Sequence, residues 1–171
     1  MGEALAIYQD HLDDVSRALW SGDDDKLLNL LSLPNRMITS DAELLLDSAE
    51  AVIKAARDFR AFLRKSGAQE YHRIAREARF HPEYENRIDG SHDTYILRGG
   101  QYVLEPYLNR QVLVCEDGIW RGIEIRAEVR NSDCTILSLE QLRNHAMKSQ
   151  IASLETPKDS QGRPAGERPE M

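Results

Sequence analysis

The spacing of the apolar residues changes once along this chain, near Gly67, and that change limits the folds open to it. Before it, apolar residues recur at steps of three and four, the spacing of one helix face. After it they alternate, the spacing of one strand face. Leu5, Tyr8, Leu12, Val15 and Leu19 form a first helical stripe, closed by Ser21-Gly22. Asp23 to Asp25 place carboxylates at the start of a short second helix carrying Leu27, Leu28, Leu30 and Leu31. Exposed N–H groups favour negative charge there, and three consecutive residues cannot all aim at one metal, so they read as a cap. Pro34-Asn35 breaks the chain. Residues 36–39 and 43–46 read as short strands about a Ser40-Asp41 turn, with a helix from Asp41 as the competing reading. Asp47-Ser48 caps a long helix over 49–65 with the stripe Ala49, Val52, Ile53, Ala56, Phe59 and Leu63, and Lys65-Ser66-Gly67 stops it.

Strands are expected over 69–80, 91–98, 103–116 and 119–130, with a last short run at 134–137. Asp89-Gly90, Gly99-Gly100, Glu116-Asp117-Gly118 and Asn131-Ser132-Asp133 supply turns. Helices first and strands after give an α+β class rather than α/β. A curved, mostly antiparallel sheet wrapped around the long helix buries its stripe and leaves a cone-shaped cavity. Residues 1–138 are expected to form a single α+β barrel domain, 139–152 a short C-terminal helix or extension, and 153–171 a disordered tail, being polar with almost nothing to anchor it.

Charge and motifs exclude more than they assign. With 29 acidic residues against 22 basic ones, a net charge of −7 repels phosphate backbones, so no nucleic-acid partner is expected. Cys115 and Cys134 belong to no CxxC or Cys/His cluster and read as buried thiols, not zinc ligands. No P-loop, GxGxxG, GxSxG or HExxH is present, and no cofactor is expected. The start has no basic, apolar leader and no window reaches 18 apolar residues, so the expectation is a cytoplasmic protein without a membrane partner.

Strand parity nominates a site. If Ile96 points inward, so do His92, Thr94 and Arg98; with Val112 and Val114 goes Arg110; with Ile74, Ala78 and Phe80 goes Arg76. Tyr8 and Tyr107 are possible hydroxyls at the rim. Such a pocket suits a small carboxylate or enolate-like ligand, because the arginine fork makes two parallel hydrogen bonds and histidine moves protons near neutral pH. The structural alternative leaves the arginines at strand ends, paired with Asp41, Glu77 or Asp133, and His92 as a core or interface histidine. Which sheet face holds His92 and the arginines stays open at this point. Asp93 has the opposite parity to His92, so no acid partner is in view. The other face of the last long strand, Gly122, Glu124, Arg126 and Glu128, mixes charges that a two-fold axis can pair, pointing to a homodimer through the sheet.

An ordered set of segments carries a resemblance: the N-terminal helix pair, the helix ending RKSG, AREARF, IDGSHDTYILRGG, PYLNRQVLV and the hairpin EDGIWR. Over about residues 4–138 it resembles the nuclear-transport-factor-two-like superfamily, in its SnoaL-like branch. The resemblance implies a cone-shaped, cystatin-like α+β barrel, often homodimeric, with a pocket between sheet and helices. It implies no single activity, since relatives include polyketide cyclases, isomerases, dehydratases, dioxygenase accessory subunits and plain binding proteins. Three readings are open. The first is a dimeric protein binding a small organic, anionic ligand. The second is a cofactor-independent isomerase, cyclase or lyase using His92 as base and Arg110 or Arg98 on an oxyanion. The third is an accessory subunit of a ring-hydroxylating dioxygenase.

Overall fold

The computed structural model describes residues 2–155. It divides into two units, the first ending at Ser138 and the second beginning at Leu139. The first unit runs α1 (Glu3–Ser21), α2 (Asp24–Asn29), β1 (Leu31–Ile38), β2 (Glu43–Leu46), α3 (Ala49–Lys65), β3 (Glu70–Phe80), β4 (Arg87–Arg98), β5 (Gln101–Tyr102), β6 (Tyr107–Glu116) and β7 (Ile119–Ala127). Local chemistry sets these bounds. The Asp23 side chain accepts from Lys26 N at 3.1 Å to open α2, and Ser48 accepts from Ala51 N at 3.2 Å to open α3. Asp117 and Gly118, at φ 52° and 75°, make the tight turn between β6 and β7.

The strands form one curved, mixed sheet in the order β2-β1-β7-β6-β4-β3, with β5 on β4. Only β1 and β7 pair in parallel. Helix α1 lies against β3 and β4. Tyr8 and Leu12 of α1 pack with Ile88 of β4 and Leu113 of β6, all fully buried. Burying an aliphatic side chain of this size is worth about 1.5–3 kcal/mol, so this cluster fixes the helix on the sheet.

Several sequence expectations are corrected. Pro34 does not break the chain: β1 starts at Leu31 and runs through it, and the cost is a register shift against β7 between Leu31 and Arg36. Asp89-Gly90 is not a turn but lies inside β4. Glycine is required there because a Cβ would sit 2.5 Å from the Tyr8 ring. Residues 134–137 are not a strand. They fold back on Asn131, whose side chain donates to Leu137 O at 2.9 Å and accepts from Leu137 N at 2.7 Å.

Two β-bulges decide which side chains reach the interior. On β3 the register shifts between Ala75 and Glu77, and between β6 and β7 it shifts at Val112/Leu113, leaving Ile123 as the extra residue. Each bulge moves every later side chain to the opposite face.

The second unit holds α4 (Leu139–Glu155), which is longer than the expected 139–152 and takes in residues 153–155 of the expected tail. The rest of that tail, from 156 on, lies outside the described residues. Among the described residues, no helix is long and apolar enough to cross a membrane.

Candidate functional site

A cavity of about 120 Å³ lies between the helices and the inner face of the sheet. Its helix side is apolar: Val15 and Leu19 of α1, Leu27 of α2, and Val52, Ala55, Ala56 and Phe59 of α3. Its sheet side carries the polar groups Asn35, Arg73, Thr94, Tyr107, Asn109, Gln111 and Glu124. Pairing arranges these in cross-strand rows. Arg73 stands opposite Thr94, which stands opposite Tyr107; one row on, Ala75, His92, Asn109 and Ala127 line up. Adjacent strands are about 4.8 Å apart, so neighbours in a row can touch. Asn109 Nδ2 donates to Thr94 Oγ1 at 2.8 Å and to Tyr107 O at 3.3 Å. The Tyr107 hydroxyl contacts Cys134 Sγ at 3.8 Å, and burial raises that tyrosine well above its ordinary pKa and the thiol to about 11.

Arg73 is buried, with 7% of its surface exposed. Its Nε donates to Ser16 Oγ at 2.9 Å and its Nη2 to Leu12 O at 3.0 Å, both on α1. No carboxylate among the described residues pairs with it. Strand parity did not nominate Arg73, because it took Ile74 as inward; the bulge after Ala75 puts Tyr71, Arg73 and Ala75 on the inner face and returns Ala78 to it.

The nominated residues separate accordingly. Thr94 and Tyr107 line the cavity. Arg76 falls in the β3 bulge, points outward and pairs with Asp93 at 2.5 Å. Arg110 is exposed on the outer face and pairs with Glu128. Its strand turns Tyr107, Asn109, Gln111 and Leu113 inward and leaves Val112 and Val114 outside. Arg98, the last residue of β4, is exposed and lies over Gly67. None of these three arginines lines the cavity.

His92 is inward and fully buried, yet it is not part of the cavity wall. Its Nδ1 is 2.8 Å from the Tyr8 hydroxyl, and its Nε2 has no hydrogen-bond partner among the described residues. His11 of α1, also buried, approaches Gln111 Nε2 at 3.4 Å, and Gln111 Oε1 is unpartnered. Burial first, then the charge of Arg73, lowers the pKa of His11 to about 4 and that of His92 still further, so both are neutral imidazoles at neutral pH. Burial raises the Tyr8 hydroxyl far above its ordinary value. Among the described residues no carboxylate hydrogen-bonds either imidazole. Among the described residues no group of three or more His, Cys, Asp or Glu side chains converges on a metal-sized point. His11 was legible in principle: position 11 lies on the stripe of Tyr8, Leu12 and Val15.

No family model and no curated protein matches the sequence. Solved structures match the fold. An NTF-2-like protein of unknown function from Shewanella oneidensis superposes with a TM-score of 0.56 at 11% identity, over 72% of this chain and 97% of its own. An NTF2-like protein from Cytophaga hutchinsonii gives 0.52 at 16% identity, over 76% and 100%. The hexachlorocyclohexane dehydrochlorinase LinA-type3 from Novosphingobium barchaimii gives 0.50 at 12% identity, over 72% and 84%. The chain has the NTF2-like fold, and at such identities the likeness extends to fold alone.

Proposed function

We propose that this protein binds a small organic molecule in the cavity between helices and sheet. The observation that carries the reading is the two-sided wall: an apolar helix side facing a row of polar groups on the sheet. Pockets for small ligands combine these features, apolar area for affinity and a few placed polar groups for orientation. A binding role has more support than a SnoaL-like isomerase, cyclase or lyase role. His92 lies behind the wall, and a general base needs to reach the proton it takes. A homodimer through the outer sheet face belongs to the same reading: that face carries the half-exposed Ile74, and elsewhere Val112, Val114 and the Arg76–Asp93 and Arg110–Glu128 pairs.

The test uses Nile red, a neutral dye that brightens in apolar surroundings, and the variant Ala56→Phe, which fills the cavity from α3. The wild type should brighten and blue-shift the dye, and Ala56→Phe, folded by circular dichroism, should not. Equal signals from both proteins, or none from the wild type, would refute the cavity as a binding site.

A further inference from the structure

We infer that the ligand is an organic carboxylate, its charged end held by Arg73 and its apolar body against α3. This rests on the binding role proposed for the cavity and adds the ligand's chemical class.

Arginine cannot shed its charge, so Arg73 is a buried cation whatever the pH. Its guanidinium has five N–H groups. One on Nε and one on Nη2 are taken by Ser16 and by the main chain of Leu12, both neutral acceptors. That leaves three of the five, the two on Nη1 and the second on Nη2, without an acceptor among the described residues. Nη1, with both of its N–H groups among these, is the arm of the fork left to a ligand's carboxylate oxygens. Other charged groups near the cavity do not neutralise it. Glu124, on β7 of the same sheet, pairs with Arg36 at 3.7 Å. Asp93 is committed outside to Arg76.

The neighbours of Arg73 sharpen the point. A buried charge without a counter-ion is costly, and here the nearby ionisable groups, Tyr8, His11 and His92, are all held neutral. Arg73 thus stands as a positive charge among buried neutral groups. The fixed position of the fork, clamped to α1 through two hydrogen bonds, means that a ligand meets it pre-oriented. Thr94, opposite it on β4, adds a hydroxyl that a carboxylate can use.

The experiment is calorimetric titration of the full chain with two acids, decanoate and 2-naphthoate, and their neutral amides, decanamide and 2-naphthamide. Wild type should bind an acid at least tenfold more tightly than its amide. In Arg73→Met, which removes the charge and keeps an apolar side chain of similar length, that preference should vanish while amide binding persists. Arg73→Lys should retain part of the preference. Acid and amide binding alike to the wild type would overturn the carboxylate inference and leave the cavity reading standing. A preference for the acid that survives Arg73→Met would overturn the role of Arg73. No binding of any of the four, with no Nile red signal, would remove both.

Discussion

Acid should destabilise this protein through two imidazoles. A free histidine takes up a proton near pH 6.5. In the folded protein burial and then the Arg73 charge hold His11 to about pH 4, with only Asp14 among the nearby charges acting the other way, and hold His92 lower still. Between those values the unfolded chain binds protons that the folded chain refuses. The stability these groups contribute is therefore complete above pH 6.5 and lost as pH falls. Across that window each neutral histidine stands for about 3 kcal/mol, and the pair for about 6–7 kcal/mol, of which about 4 kcal/mol is gone by pH 5. A domain of this size has about 5–15 kcal/mol in all, so a large share of its stability should be lost between about pH 6.5 and pH 4. Urea unfolding at pH 7.5, 6.5, 5.5 and 4.5 measures it, on wild type and on His11→Gln and His92→Gln. Each variant should show about half the wild-type slope of stability against pH, whatever its stability at neutral pH. Identical slopes in all three proteins would refute the reasoning, because the acid sensitivity would then belong to surface carboxylates.

Two further outcomes test the packing and the placement of the site. Gly90→Ala places a methyl 2.5 Å from the Tyr8 ring and should cost about 1–3 kcal/mol, read as a lowered melting temperature; an unchanged melt would mean that the Tyr8 ring does not hold α1 tightly on β4. Arg76→Ala and Arg110→Ala, both on the outer face, should leave Nile red and carboxylate binding unchanged, and a tenfold loss in either would put the ligand on the outside of the sheet.

How much of this was legible in the sequence depends on the element. The helices were, with their caps, because Gly22, Asp23, Ser48 and Gly67 act within a turn of where they stand in the chain. The sheet was legible as a set of strands, and the class with it. The inner face was not, for two physical reasons. First, alternation identifies the buried face only when the apolar residues are inside. On β6 the inner positions are Tyr107, Asn109, Gln111 and Leu113, and the valines are outside. The side facing the cavity has given up apolar character for polar groups. Second, parity counts residues, and a bulge adds one without a sequence mark of its own. Arg73 and Ala78 are five apart, an impossible spacing for one face of a regular strand, and both reach the inside. Along β4, which carries neither complication, His92, Thr94 and Ile96 share the inner face as alternation requires, and Arg98 leaves it only at the strand end. Gly90 misled in a third way: its signal is that of a turn, while its cause is an aromatic ring from another element.

The bulge in β3 has a consequence for length variation. Insertions and deletions are ordinarily absorbed by loops, because removing a residue from a strand flips everything beyond it. Here the strand carries one residue more than its partner needs. Removing Arg76 would leave Ala75 opposite His92 and Glu77 opposite Ser91, as they are now, with the ladder made regular between them. Arg73 would stay beside Thr94 and Ala78 beside Gly90, four places apart instead of five. The middle of β3, at the edge of the sheet, is thus a place where this chain can shorten by one residue without exchanging the inside of the protein for the outside.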